Sequence, residues 1–119
     1  MNLGWDGMDK VTTPVIFRVF RDAGDIIALF PAIPADTQGQ LMQSYHLGQF
    51  GGADYIGLTR RHIQGWEAPT RPAKPAEYEE MKKDLEGRGY KLKVYSKNSI
   101  FLKNRYSEEL KRMKRDASV

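Results

Sequence analysis

The side chains able to do chemistry are concentrated in one stretch, Ser44-Tyr45-His46-Leu47-Gly48-Gln49-Phe50-Gly51-Gly52-Ala53-Asp54-Tyr55. It brings imidazole, amide, carboxylate and phenol groups together among glycines, a mixture that no simple secondary structure requires. His46 and His62 are the two histidines of the chain. With Asp54 between them they have the composition of a two-histidine, one-carboxylate metal set. Their spacing matches no ligand pattern, and hydrogen bonding by His46 within the loop with a solvated His62 is the plainer account. Gly48, Gly51 and Gly52 invite comparison with phosphate-binding loops, but no Gly-Lys-Ser/Thr follows, and no helix start is expected directly after them. A serine nucleophile elbow, a His-Glu helix motif and a calcium loop are all missing. The sequence thus assigns no catalytic residue, metal or cofactor. It points to a non-enzymatic surface for a protein partner, made of Tyr45, His46, Gln49, Phe50, Asp54 and Tyr55.

A second group is basic. The chain of 119 residues carries a net charge of +4. Residues 103–115 hold six bases against two acids, which accounts for all of it. Lys111, Arg112, Lys114 and Arg115, joined by Lys91 and Lys93, would grip nucleic-acid phosphates or an acidic protein groove. The competing account is a solvated helix that docks Tyr106, Leu110 and Met113 onto its own domain.

The elements that must position these groups follow from pattern. Val15–Arg21 and Asp25–Phe30 are rich in β-branched and aromatic residues around Asp22-Ala23-Gly24, a β-hairpin signature. Both faces are apolar, so the hairpin is expected at the centre of a sheet or covered on both sides. Pro31 and Pro34 are expected to end the second strand. Residues 40–45 form a third strand, and 56–73 a long connection with a short strand at 57–63. Pro75–Glu86 reads as a helix: proline at the first position, acids in the first turn, and Tyr78, Met81 and Leu85 on one face. Lys74 is a poor cap for it. Tyr90–Tyr95 alternates as a half-buried strand whose lysines would guard a sheet edge. Ser107 would cap a final basic amphipathic helix. The expectation is an α+β domain: an antiparallel sheet of about four strands in β-β-β-α-β order, with one packed helix and a basic C-terminal helix. Residues 1–13 read as an arm anchored by Trp5, 14–96 as the compact domain, and 97–119 as the basic helix.

The absence of cysteine removes thiolate metal sites and thiol catalysis and suits a reducing compartment. No apolar run is long enough to span a bilayer and no secretory leader is visible, so a cytoplasmic, non-membrane protein is expected. An exposed strand edge or the last helix's apolar stripe would each support a dimer, and the sequence does not choose between them.

Phe17-Arg18, Ala28-Leu29-Phe30-Pro31, Ser44-Tyr45-His46, Gly48-Gln49, Ala53-Asp54 and Pro72-Ala73-Lys74-Pro75-Ala76-Glu77-Tyr78 together resemble a group of small uncharacterised proteins of bacterial genomes, phages and mobile elements. The resemblance spans residues 15–95. The group usually carries Thr or Ser where Lys74 stands and often His where Phe50 stands, which argues against metal chemistry here. The resemblance implies a compact α+β domain of mobile-element origin and no particular reaction. Small proteins of that origin include inhibitors that occupy the nucleic-acid surfaces of bacterial immune nucleases. An anti-CRISPR-like inhibitor of a nucleic-acid-handling complex is therefore the first functional expectation, and direct nucleic-acid binding through the basic helix the second.

Overall fold

The computed structural model describes residues 12–60 and 67–117. Trp5 with the arm up to residue 11, His62, and the last part of the strand expected at 57–63 lie outside them. The chain is α+β. Six strands form one sheet: β1 (Thr13–Phe20), β2 (Ile26–Pro34), β3 (Met42–His46), β4 (Gln49–Ala53), β5 (Thr70–Pro72) and β6 (Leu92–Val94). Among the described residues three helices cover it: α1 (Tyr55–Thr59), α2 (Pro75–Gly87) and α3 (Ile100–Ala117). The sheet order is β4-β3-β2-β1-β5, all antiparallel, and β6 runs parallel to the first half of β1.

The β1–β2 hairpin forms where its sequence places it. Gly24 (φ +81°) supplies the left-handed turn residue, and Ile16 faces Leu29 while Phe17 faces Ala28. Because successive side chains alternate, each strand feeds two cores. Val15, Phe17, Ala28, Phe30 and Tyr45 pack with Leu85 of α2, and Phe17 stacks on Tyr78 with ring centroids 4.3 Å apart. On the opposite face lie Ile16, Ile27, Leu29 and Met42, joined by Tyr55, Leu58, Tyr95 and Tyr106. Arg18 also points to this second face and is 7% exposed. Its guanidinium donates to Thr70 Oγ1 (3.0 Å) and to Thr70 O (2.9 Å), while Thr70 Oγ1 donates to Leu58 O (2.5 Å). That chain of bonds ties β1, β5 and α1 together.

Four expectations are corrected. Pro31 does not end β2, which runs on to Pro34 and ends there; the register with β3 slips between Phe30 and Pro34, an irregularity that tolerates residues unable to donate to the ladder. The described part of the expected strand at 57–63 is instead α1, from Tyr55 to Thr59. The glycine-rich stretch is a strand, β4, so the sheet has more than four strands. Finally, α3 begins at Ile100 and Ser107 lies inside it. Ser99 is the cap, its Oγ accepting the Leu102 N–H (3.3 Å). The longer helix presents Leu102, Tyr106 and Leu110 as one stripe at i, i+4, i+8, and Leu102 is completely buried. The basic helix is therefore packed onto the domain, against β2. Gly39 (φ +77°) lies beneath it, where an added Cβ would meet Leu110 at 2.9 Å.

Glu77 compensates for the poor cap at Lys74. Its carboxylate accepts the Lys74 N–H (2.8 Å) and forms a bidentate pair with Arg71 (2.9 and 2.7 Å), joining β5 to the start of α2. The bond from Arg71, then that from Lys74, lowers the Glu77 pKa to about 2, from an ordinary 4.5. A lowered carboxyl pKa stabilises the fold above its unfolded value, and that contribution is lost as pH falls from roughly 5 toward 2. Over that window the melting temperature of the native chain should fall more steeply than that of Glu77→Gln; parallel curves would show that the pair contributes nothing. Leu102→Ala should cost about 2–5 kcal/mol by chemical denaturation. A loss below about 1 kcal/mol would mean that α3 is not part of the cooperative unit.

Candidate functional site

The stretch singled out by its chemistry folds as the β3–β4 hairpin. Leu47 (φ +52°) and Gly48 (φ +75°) are its two turn residues, both left-handed, as the twist of a two-residue hairpin demands. The pairs run His46–Gln49, Tyr45–Phe50, Ser44–Gly51, Gln43–Gly52 and Met42–Ala53. β4 is the outer strand, and among the described residues nothing pairs with its far side.

The residues expected to meet a partner have distinct places. Tyr45 is 2% exposed, and its hydroxyl donates to Asp84 Oδ2 at 2.5 Å. Arg88 lies over its ring (5.3 Å) and holds Asp84 Oδ1 (3.3 Å). The bond to Asp84 raises the phenol pKa, and the same bond, more than Arg88, holds the carboxyl below its usual value. Tyr45 is thus a strut between β3 and α2, not a contact surface. Phe50 packs 4.7 Å from the Tyr45 ring yet remains 41% exposed. Gln49 is exposed beside the turn. His46 sits against Phe20 (5.0 Å), and its Nε2, 3.5 Å from Asp25 Oδ2, has no hydrogen-bond partner.

Asp54 and Tyr55 lie at the other end of the hairpin. Asp54 Oδ1 accepts the Ile56 N–H (3.0 Å) and so caps α1. This corrects the expectation that no helix follows the glycines, although the helix has a single short turn and its N-terminus is already filled. The Tyr55 hydroxyl accepts the Asn98 N–H (3.2 Å), fastening α1 to the connection before α3. His46 pairs with Gln49 and Met42 with Ala53, so the ladder separates His46 from Asp54, five residues beyond Gln49, by roughly 16 Å. The fold does not bring them together, and no group of three or more metal-ligating side chains occurs among the described residues.

The basic group is elsewhere. Lys91 and Lys93 flank Leu92 at β6, on the side of the sheet opposite β4. Lys111, Arg112, Lys114 and Arg115 are exposed on the last turns of α3. Arg112 is held by Glu109 and by Asp116 (3.2 Å), so its charge is largely committed within the helix. No helix of the described chain is long and apolar enough to cross a membrane.

Two features escape the sequence reading. A cleft of about 420 Å³ opens between the hairpin turn and α2, with Asp25, Glu80 and Asp84 around Ile26, Tyr45 and Met81. It joins residues from three distant segments, so no local motif announces it. At its rim stands Leu47, 70% exposed. The signal for Leu47 was present: a hairpin turn of this kind favours Asn or Gly at that position. A second groove, of about 480 Å³, lies between the β2–β3 connection and α3; there Tyr106 donates to Leu41 O (2.6 Å).

Comparison of the chain with protein-family models, with curated proteins and with solved structures finds no match. Fold and surface alone define the class: a small α+β protein with an apolar residue displayed at a hairpin turn beside an acidic cleft.

Proposed function

We infer that this protein is a non-enzymatic macromolecule-binding protein, and that the tip of the β3–β4 hairpin is the part that binds. Leu47 is the observation that carries the reading. A leucine in the left-handed region costs about 1–2 kcal/mol, a cost that glycine does not bear and asparagine bears less. At 70% exposure Leu47 recovers little by packing on its own chain. A residue that opposes both backbone preference and solvation is explained by a contact outside the fold. The carboxylates of the adjoining cleft give the contact its chemistry: an apolar pocket ringed by lysine or arginine on the partner.

Such a surface is found where proteins hold nucleic acid. The reading therefore favours an inhibitor of phage or mobile-element type that covers the basic groove of a nucleic-acid-handling complex, in keeping with the mobile-element origin that the resemblance of residues 15–95 implies. Its rigid display on a hairpin braced by Tyr45 and Asp84 suits binding with little ordering cost.

The test is affinity purification from bacterial lysate, with nuclease treatment, comparing the native chain with Leu47→Asn. The native chain should retain a specific protein partner after nuclease. Leu47→Asn should melt at the same or a higher temperature, by up to about 1 kcal/mol of stability, and lose the partner at least tenfold. Equal capture by both would remove Leu47 from the interface. Capture that vanishes with the nucleic acid would move the assignment to Lys111, Lys114 and Arg115.

A further inference from the structure

The cations of α3 differ in what holds them. Arg112 is engaged by Glu109 and by Asp116 (3.2 Å). Lys103, Lys111 and Arg115 are exposed, and among the described residues no carboxylate lies within ion-pair distance of any of the three. With Ser107 they stand at i, i+4, i+8 and i+12, a single row that advances about 6 Å from one member to the next. Glu108, Glu109 and Asp116, the acids of the helix, lie outside this row.

The row borders the groove of about 480 Å³ between α3 and the β2–β3 connection. Lys103 and Ser107 belong to its lining, together with Gln38, Gln40, Ile56 and Asn98. Amide side chains both donate and accept hydrogen bonds, as the edge of a nucleobase requires. Ile56, 57% exposed, adds an apolar wall. The connection that carries Gln38 and Gln40 is held in place before any ligand arrives. Asp36 Oδ1 accepts the N–H groups of Gly39 (3.1 Å), Gln40 (3.1 Å) and Leu41 (3.2 Å), and Gly39 packs closely on Leu110. Asp54, the acid on the groove wall, has its Oδ1 engaged in capping α1.

We propose that this face binds single-stranded nucleic acid, with a base in the groove and the phosphates of the strand along Lys103, Ser107, Lys111 and Arg115. A regular row of cations and a hydroxyl complements the regular anions of a nucleic-acid backbone better than the irregular carboxylates of a protein surface. The groove selects a single strand, because a base held in a duplex cannot leave its stack to enter it. The length of the row selects a strand over a mononucleotide, since Lys111 and Arg115 continue it beyond the groove.

The groove takes Met42 and Asp54 into its lining, at the end of the β3–β4 hairpin where Met42 pairs with Ala53. Leu47 and the acidic cleft are at the opposite end. The strand-binding face is therefore separate from the hairpin tip and does not rest on the function proposed above.

Fluorescence anisotropy of the full chain with a labelled oligothymidylate of about 15 nucleotides tests this. Binding at low salt is expected on the order of 10 µM, with a log–log salt slope of about −2 for three phosphate contacts. Lys103→Gln and Lys111→Gln should each weaken it about threefold or more and flatten the slope by about 0.7. Arg112→Gln removes the same charge, already engaged within the helix, and should change the affinity by less than about twofold. Ser107→Trp fills the groove from an exposed position. It should weaken oligothymidylate but not inorganic polyphosphate, with the circular dichroism spectrum unchanged. A duplex of the same length and thymidine monophosphate should each bind at least about fivefold more weakly than the single strand. Absence of binding at low salt, or Arg112→Gln as damaging as Lys103→Gln, would overturn the proposal. So would equal binding of the duplex or of the mononucleotide, and polyglutamate bound as tightly as the strand would assign the face to an acidic protein instead. A chain that captures a partner through Leu47 but binds no strand would overturn this inference alone; a chain that binds the strand and captures nothing after nuclease would count only against the proposed function.

Discussion

The structure depends on a pair of strands that are apolar on both faces. β1 and β2 bury Val15, Phe17, Ala28 and Phe30 on one side and Ile16, Ile27 and Leu29 on the other. Such strands cannot face water on either side, so the remaining chain must supply two covers. α2 covers the first face; α1 and α3 cover the second. That division explains why the C-terminal helix, despite its charge, is fixed to the domain through Leu102 and Tyr106. It also explains the buried Arg18. At an alternating position the guanidinium must enter the second core, where Thr70 and Leu58 form the hydrogen-bonded chain that makes it tolerable.

The sequence was most legible where local and global preferences agree. The β1–β2 hairpin combines β-branched strands with a glycine turn, and α2 combines proline, early acids and a clear stripe, so both elements are evident from pattern alone. β4 was hidden because glycine carries no alternation to read. Its strand conformation comes from pairing with β3, a non-local fact. β5 is likewise a strand because Arg18 and Phe20 find Pro72 and Thr70 across the sheet. The start of α3 was misplaced because Ser107-Glu108-Glu109 has the chemistry of a cap, whereas burial of Leu102 extends the helix back to Ser99. Tertiary burial outweighed a good local signal.

Of the residues marked as a partner surface, the ones with the most distinctive chemistry proved to be structural. Tyr45 braces α2, Asp54 caps α1 and Tyr55 anchors the approach to α3. Polar groups attract notice because they make specific bonds, and in a domain this small most of those bonds hold the fold. The chemical conspicuousness of a stretch is thus a poor guide to what it offers to the outside.

A better guide is a residue that the fold does not account for. Leu47 has the wrong side chain for its backbone and the wrong polarity for its exposure. Gly51 lacks a side chain where backbone and space would both accept one. Both belong to the same hairpin, and an apolar pocket on a partner is the contact proposed to account for Leu47. Gly39 and Gly52 provide the contrast, since close contacts from Leu110 and from Ala35 and Leu41 explain them within the chain. The unexplained residues lie at the turn before β4 and within it, the longest outer strand of the sheet among the described elements.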